Sequence, residues 1–211
     1  MQGRKPIERS SEFRKHVLFL IIGTAFFIWS YIGHSDTFAW IMLSLPIVMG
    51  VVATVATYRR FTFTTFVYAL GLLYVIILMA GAKYTYTYNP LFDFIKDNLG
   101  HTRNFYDRVG HFAQGFIPVL VFKEIILRPG HMKRGPFFYL VLLCMVLAFS
   151  AAWELLEFGA VIISGMDARY IMSLQGDLLD TQWDMFMAVI GAVVSLLMFN
   201  RYHDKKMAEL K

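Results

Sequence analysis

A carboxylate and an imidazole stand at helical spacing in the motif FYDRVGHFAQGF, at residues 105–116. Asp107, His111, Gln114 and Pro118 lie at offsets 0, 4, 7 and 11, so all four share one face of a helix. An acid, an imidazole and an amide on one face can coordinate a cation or move a proton. The motif is therefore the first candidate for a reactive centre.

Two further carboxylates occupy a long apolar run in the motif WELLEFG. Glu154 and Glu157 are three residues apart and share a helical face. An ionised carboxylate in hydrocarbon costs about 2.5–3.5 kcal/mol on insertion scales, so the pair must face partners or water. The expected partners are Arg108 and His111, or Arg169.

An acidic triplet precedes the last apolar stretch, in the motif QGDLLDTQWD. Asp177, Asp180 and Asp184 are at offsets 0, 3 and 7 and again share one face. Asp180 or Asp184 could instead cap the N-terminus of the helix that follows. For Asp184 taken alone, the cap is the favoured interpretation.

Together the motifs form a hard-ligand set that suits magnesium, manganese or zinc. The candidate ligands of a divalent cation are His111, Glu154, Glu157, Asp177, Asp180 and Asp184. The candidate catalytic acids and bases are Asp107, His111, Glu154 and Glu157. No H-E-x-x-H, G-x-S-x-G or Gly-rich phosphate motif accompanies them. Ion pairing that only joins helices is therefore the competing interpretation.

Other noteworthy residues have simpler expected roles. The remaining histidines fall in tails, loops or span edges and are expected to be solvated or interfacial: His16, His34, His101, His131 and His203. Cys144, the single cysteine, is expected in the core or against lipid. Two glycine pairs are expected to ease close helix packing: Gly110 with Gly115, and Gly159 with Gly165.

The elements that must position these residues are membrane spans. Hydrophobic residues make up 57% of the 211 residues and charged residues only 17%, which predicts an integral membrane protein. A span needs about 20 largely apolar residues. Six stretches qualify as spans: His16–Gly33, Phe38–Tyr58, Phe61–Ala82, Val109–Leu127, Phe137–Ser164 and Met185–Tyr202. They predict a single all-α membrane domain over residues 1–211. The first is too long for a signal peptide and is expected to be retained.

The basic residues indicate orientation. The chain has 20 lysines and arginines. Fifteen lie in the two tails and in the two loops on the same side of the membrane as the tails, and five lie on the opposite side. The positive-inside rule then places both termini in the cytoplasm. The net charge of +5 is explained by these short flanks and by anionic lipid, so a nucleic-acid partner is not expected. All three motifs converge on the periplasmic third of the membrane.

The longest periplasmic segment runs from residue 83 to 108 and opens with KYTYTYNP, whose tyrosines suit the headgroup layer. Leu91, Phe92, Ile95 and Leu99 follow at helical spacing. Two structures fit this pattern equally: a short helix lying on the outer surface, or an ordered loop.

The chain resembles the YjdF-type inner-membrane proteins of enteric bacteria from end to end. The motifs DRVGHF, WELLEF and QGDLLDTQWDM carry the resemblance. It implies a multi-pass protein of the bacterial inner membrane with no established activity. A weaker likeness to VanZ-like membrane proteins rests on His111 with Phe112, on Glu154 or Glu157, and on Asp184 before the last span. The additional acids depart from that outline, so the VanZ link to glycopeptide resistance is not transferred.

Three functions are compatible with this pattern. The first is an enzyme or carrier that acts on a lipid-linked or envelope substrate through the acidic, histidine-containing pocket, with or without a divalent cation. The second is a small transporter, although such proteins more often place acids at the midplane and show inverted repeats. The third is an assembly protein whose polar cluster is purely structural. The sequence leaves the reaction and the oligomeric state open.

Overall fold

The computed structural model describes residues 6–165 and 174–210, and within these residues every regular element is a helix. Six apolar helices are long enough to cross a membrane, with α5 and α6 forming one of them. The all-α, six-span prediction is confirmed. The helices are α1 Pro6–Tyr31, α2 Thr37–Thr57, α3 Thr65–Lys83, α4 Pro90–Leu99, α5 Tyr106–Phe116, α6 Pro118–Leu127, α7 Pro136–Ser164 and α8 Asp180–Ala208.

Local sequence explains where several helices begin and end. Asp36, Thr64 and Asn89 are N-caps whose side chains accept hydrogen bonds from the first turns of α2, α3 and α4. Gly100 and Gly165 end α4 and α7 in the left-handed conformation, with φ of 69° and 64°. Gly165 is therefore a helix cap, which corrects the expectation that it eases packing.

The fourth span divides into α5 and α6 at Pro118. Pro118 has no N–H to bond the preceding turn, which weakens the helix at that point. Ile117 nevertheless keeps helical angles, with φ of −91° and ψ of −52°. The two helices therefore form one span, Tyr106–Leu127, with the polar motif on α5 and an apolar start to α6.

The fourth span is the centre of the bundle, although it is the least apolar. Within its most apolar stretch 67% of the residues are buried, whereas the other five spans reach at most 28%. α5 packs against α3, α7 and α8. Polar residues on this span therefore face other helices rather than lipid.

Glycines bring α5 and α8 into backbone contact. A Cβ at Gly115 would overlap the backbone of Ala188, and a Cβ at Gly191 would overlap the backbone of Phe112. Gly110 is covered by the Tyr86 ring. A Cβ built on Gly159 would meet no atom of another helix within 4 Å among the described residues, so its predicted packing role is wrong.

The bundle has two polar ends separated by an apolar middle. Buried aliphatic residues of α6, α7 and α8 fill the middle, among them Leu120, Leu142, Val146 and Ala188. The acidic end is the end of the bundle at which α3 and α7 finish and at which α5 and α8 begin. The opposite end, where α6 and α8 finish, is the tail end.

The segment after α3 forms a short surface helix, which is one of the two expected alternatives. In α4, Phe92 packs on Tyr106 with ring centroids 5.3 Å apart, and Asp93 accepts a hydrogen bond from Asn104 at 3.0 Å. Leu91 and Phe94 on the same helix are exposed. α4 thus lies across the acidic end, held by one face and presenting apolar side chains on the other.

Candidate functional site

His111 is oriented by α5, the central helix. Its Nδ1 lies 3.0 Å from the amide oxygen of Gln114, one turn further along. Because that oxygen can only accept, Nδ1 carries the hydrogen. Nε2 points the other way, 3.6 Å from a carboxylate oxygen of Asp107 and 3.6 Å from one of Asp184. A neutral imidazole would therefore aim its lone pair at two carboxylates, and either a proton on Nε2 or a metal ion between these groups removes this repulsion.

Asp107, His111 and Asp184 offer ligand atoms that all lie within 4.8 Å of one another, and all three residues are buried. Asp107 and His111 come from successive turns of α5, and Asp184 comes from the second turn of α8. The close crossing at Gly115 and Gly191 is what brings these two helices together. Two carboxylates and an imidazole suit a divalent transition metal.

Glu154 and Glu157 project from α7 toward the same place, and only 5% and 8% of their surfaces are exposed. Glu154 Oε1 is 3.7 Å from His111 Nδ1 and has no hydrogen-bond partner among the described residues. Glu157 borders a cavity of about 10 Å³ between α7 and α2, which is room for about one water molecule. Burial raises the pKa of the nearby Tyr86 phenol well above its usual range, so that ring adds no charge.

Two arginines hold the aspartates. Arg103 Nη1 and Arg108 Nη2 are each 2.6 Å from the same oxygen of Asp180. Arg108 also bonds Asp184 through Nη1 and lies 3.2 Å from Asp177. Asp177 is the most exposed member of this network, with 31% of its side chain accessible, so it forms the rim.

Carboxyl groups outnumber cationic side chains in this region. The acidic cluster consists of six carboxylates: Asp107, Glu154, Glu157, Asp177, Asp180 and Asp184. Within the described part of the chain, only Arg103, Arg108 and His111 oppose them. With all six carboxylates ionised and His111 protonated, the excess would be three negative charges. The N-termini of α5 and α8 offset part of it through their dipoles.

The structure corrects the expected partners of these acids. Arg108 binds aspartates, whereas Glu154 faces His111, as expected. Asp184 is not a cap, because α8 begins four residues earlier and its N-cap position is Leu179. Arg103 forms an ion pair with Asp180, whereas the sequence analysis counts it only among the external basic residues. Arg169 lies outside the described residues.

A second buried polar cluster at the tail end was not predicted. Lys123, Glu124 and His203 are completely buried. Glu124 accepts hydrogen bonds from His203 at 2.9 Å, from Arg128 at 2.9 Å and from the Thr64 hydroxyl at 2.6 Å. Nζ of Lys123 is 2.7 Å from Asp204. The expected solvated state of His203, and the assignment of Lys123 to a loop edge, are therefore wrong.

His16 is also buried, contrary to expectation. Its ring nitrogens lie 2.7 Å from the Tyr58 hydroxyl and 2.9 Å from the Thr65 hydroxyl. His101 and His131 are exposed, as expected of loop residues, and Cys144 is exposed on α7. Span-edge position alone does not distinguish a buried histidine from a solvated one.

Comparison with known proteins reveals relatives of this chain. Residues 15–205 match the family described as "Predicted membrane protein (DUF2238)". Over 184 residues the chain is 36% identical to the inner membrane protein YjdF of Escherichia coli (strain K12). The aligned region covers 87% of this chain and 88% of that protein. No solved structure matches it at a significant level. The chain, a multi-pass inner-membrane protein, belongs to the DUF2238 family of predicted membrane proteins.

Proposed function

We propose that this protein binds a divalent cation at its acidic end and uses it on a lipid-linked or envelope substrate. The ligands are Asp107, His111 through Nε2, and Asp184. The observation that carries the proposal is the orientation of His111: Gln114 occupies Nδ1, while Nε2 faces two buried carboxylates at 3.6 Å.

This arrangement matches the usual surroundings of a metal-bound histidine. Such a histidine donates its other N–H to an oxygen acceptor, which fixes the ring and leaves the ligating nitrogen bare. An imidazole beside carboxylates favours Mn²⁺ or Zn²⁺ over Ca²⁺, which prefers oxygen ligands alone. The excess negative charge of the acidic cluster adds attraction for a doubly charged ion.

Glu154 and Glu157 are available for the chemistry. Glu154 Oε1 lies 3.7 Å from Nδ1 of His111, not from the ligating Nε2, and lacks a hydrogen bond among the described residues, so it can take or give a proton beside the cation site. Glu157 borders the water-sized cavity and can exchange a proton with that water. These are the roles of general acid and general base.

We infer from the distribution of lysine and arginine that this end is periplasmic. A cation centre buried among spans at that level is within reach of the outer-leaflet headgroups, which favours a lipid-linked or envelope substrate. The outline shared with VanZ-like proteins involves the same His111, glutamates and Asp184, and it stays a prediction.

The test is an Mn²⁺ titration of the purified protein in detergent, followed by electron paramagnetic resonance of free Mn²⁺. The wild type is expected to bind one ion per chain. Asp184→Asn should weaken binding by about 100-fold or more, since a lost ligand costs at least as much as a lost outer-shell partner. Asp97→Asn is the matched control, because Asp97 is 73% exposed at the same end of the bundle.

The structural alternative gives a different result. If the cluster only joins helices, the wild type binds no stoichiometric Mn²⁺, and Asp184→Asn lowers the melting temperature equally with and without the ion. That outcome would remove the proposed function. A cation flux across proteoliposomes that needs Asp184 would instead favour transport.

A further inference from the structure

The turn after α3 has an unusual backbone. Thr85 and Tyr86 adopt the left-handed conformation in succession, with φ of 56° and 60°, which residues other than glycine rarely do. The amide of Tyr86 donates a hydrogen bond to the Gly81 carbonyl at 2.9 Å, so the chain folds back onto the last turn of α3. Backbone strain of this kind persists only where the surrounding packing fixes it. What the turn fixes is the position of the Tyr86 side chain, which is buried.

The Tyr86 ring lies between two helices, and each of them has a glycine at the contact. A Cβ at Gly81 of α3 would overlap the ring, and a Cβ at Gly110 of α5 would lie 2.8 Å from its Cε1 atom. Carbon atoms in contact are about 3.5–4.0 Å apart, so neither position has room for a side chain while the ring stays in place. We call the Tyr86 ring and these two glycines the tyrosine wedge.

The tyrosine wedge touches α5 next to two of the proposed ligands. Gly110 directly precedes His111 and is three residues after Asp107. Gly115, which contacts α8, is five residues from Gly110 and therefore about 140° further around the helix. The tyrosine wedge and α8 thus hold α5 from nearly opposite sides, at the level of the cation site.

Tyr106, the first residue of α5, joins the same region to α3. The centroid of its ring is 5.8 Å from that of Tyr86, and its hydroxyl donates to the Ile77 carbonyl at 2.8 Å. The Tyr86 hydroxyl donates to the next carbonyl of α3, that of Leu78, at the longer distance of 3.4 Å. Because that hydrogen bond is long, the ring of Tyr86 rather than its hydroxyl sets the spacing of α3 and α5.

We propose that Tyr86 is a positioning residue of the cation site. Its ring sets the distance of α5 from α3 and so brings Asp107 and His111 to Asp184 on α8. This inference rests on the proposed function and adds to it a residue that is not itself a ligand. It requires that the Mn²⁺ affinity depend on the fit of the ring between Gly81 and Gly110.

The test measures the Mn²⁺ affinity of the purified full-length protein in detergent for variants that change this fit. Gly81→Ala forces the ring aside, and Gly71→Ala on the same helix is its control, because the added methyl would meet no atom of another helix within 4 Å among the described residues. Tyr86→Ala removes the ring, and Tyr86→Phe keeps it. Phe138→Ala removes a buried ring at the start of α7, at the tail end, and controls for loss of stability alone.

Gly81→Ala and Tyr86→Ala are each expected to weaken Mn²⁺ binding by about 10-fold to 100-fold, as does the loss of a supporting residue around a metal site. Gly71→Ala, Tyr86→Phe and Phe138→Ala are expected to bind Mn²⁺ as the wild type does, although Phe138→Ala lowers the melting temperature. Adding Gly81→Ala to Tyr86→Ala is expected to cause no further loss, because no ring remains for the methyl to displace.

Wild-type affinity in either Gly81→Ala or Tyr86→Ala would overturn the positioning role and leave the proposed function standing. An equal loss in Phe138→Ala would overturn it too, because affinity would then follow stability. So would additive losses in the double variant, or a loss in Tyr86→Phe equal to that in Tyr86→Ala. If Tyr86→Ala does not fold, the comparison of Gly81→Ala with Gly71→Ala decides. Absence of Mn²⁺ binding by the wild type would overturn the proposed function and this inference with it.

Discussion

His111 illustrates how one hydrogen bond decides what a residue can do. Its Nδ1 hydrogen is taken by Gln114, so Nε2 must meet Asp107 and Asp184. The spacing of 0, 4 and 7 in the sequence already predicts that Asp107, His111 and Gln114 share a helix face. The approach of Asp184 could not be predicted in the same way, because it depends on how two distant helices cross.

Glu124 is a residue whose environment could not be predicted from its position near the end of a span. Lys123 and Arg128 look like the basic flank that any cytoplasmic loop carries. In the structure, Glu124 and His203 are fully buried and bonded to each other, and Arg128 bonds Glu124. Basic residues that flank a membrane span and residues that form buried ion pairs are of the same types. Only their packing in the structure distinguishes the two roles.

Glu124→Ala is expected to destabilise the protein by about 3–5 kcal/mol, because it leaves buried partners without their carboxylate. The groups that lose it are His203, Arg128 and Thr64. Unfolding of the purified protein by a graded denaturing detergent measures the change. Asp97→Ala, an exposed acid on α4, is the control and should shift the free energy of unfolding by less than about 0.5 kcal/mol. Equal effects of the two substitutions would show that the tail-end network contributes little.

At the scale of elements, the site depends on the crossing of α5 and α8. Span lengths could be read from apolar runs, but helix ends could not. The last span is predicted from Met185, yet α8 begins at Asp180 and continues to Ala208. The reason is physical: helices extend into the polar layers beyond the hydrocarbon, where hydropathy no longer marks them. Asp180 and Asp184 therefore lie inside α8.

Gly191→Ala is expected to cost about 1–3 kcal/mol of unfolding free energy, because the added methyl would overlap the backbone of Phe112. It should also weaken Mn²⁺ binding, since Asp184 would move away from His111. Gly159→Ala is the matched control, because its added methyl would meet no other helix within 4 Å among the described residues, and alanine favours a helix by about 1 kcal/mol. Melting temperature and Mn²⁺ affinity are measured for both. Normal Mn²⁺ affinity in a destabilised Gly191→Ala protein would contradict the dependence of the site on this crossing.

At the scale of the whole molecule, alternation of the spans explains why distant motifs meet. α5 and α8 begin, and α7 ends, at the acidic end, so Asp107, Glu157 and Asp184 converge although they are far apart in sequence. This convergence could be predicted from topology alone. The pairing of Arg103 and Arg108 with particular acids could not, because it depends on side-chain geometry. The periplasmic orientation of the acidic end stays a prediction from the lysine and arginine distribution.

His111 is the proposed ligand that most distinguishes a cation site from a purely structural acidic cluster. Pulsed electron paramagnetic resonance of Mn²⁺ bound to the purified protein tests its assignment most directly, because an imidazole ligand modulates the signal through its nitrogen. We expect nitrogen modulation in the wild type and its loss in His111→Gln. Stoichiometric Mn²⁺ without nitrogen modulation, or modulation that survives His111→Gln, would contradict the assignment.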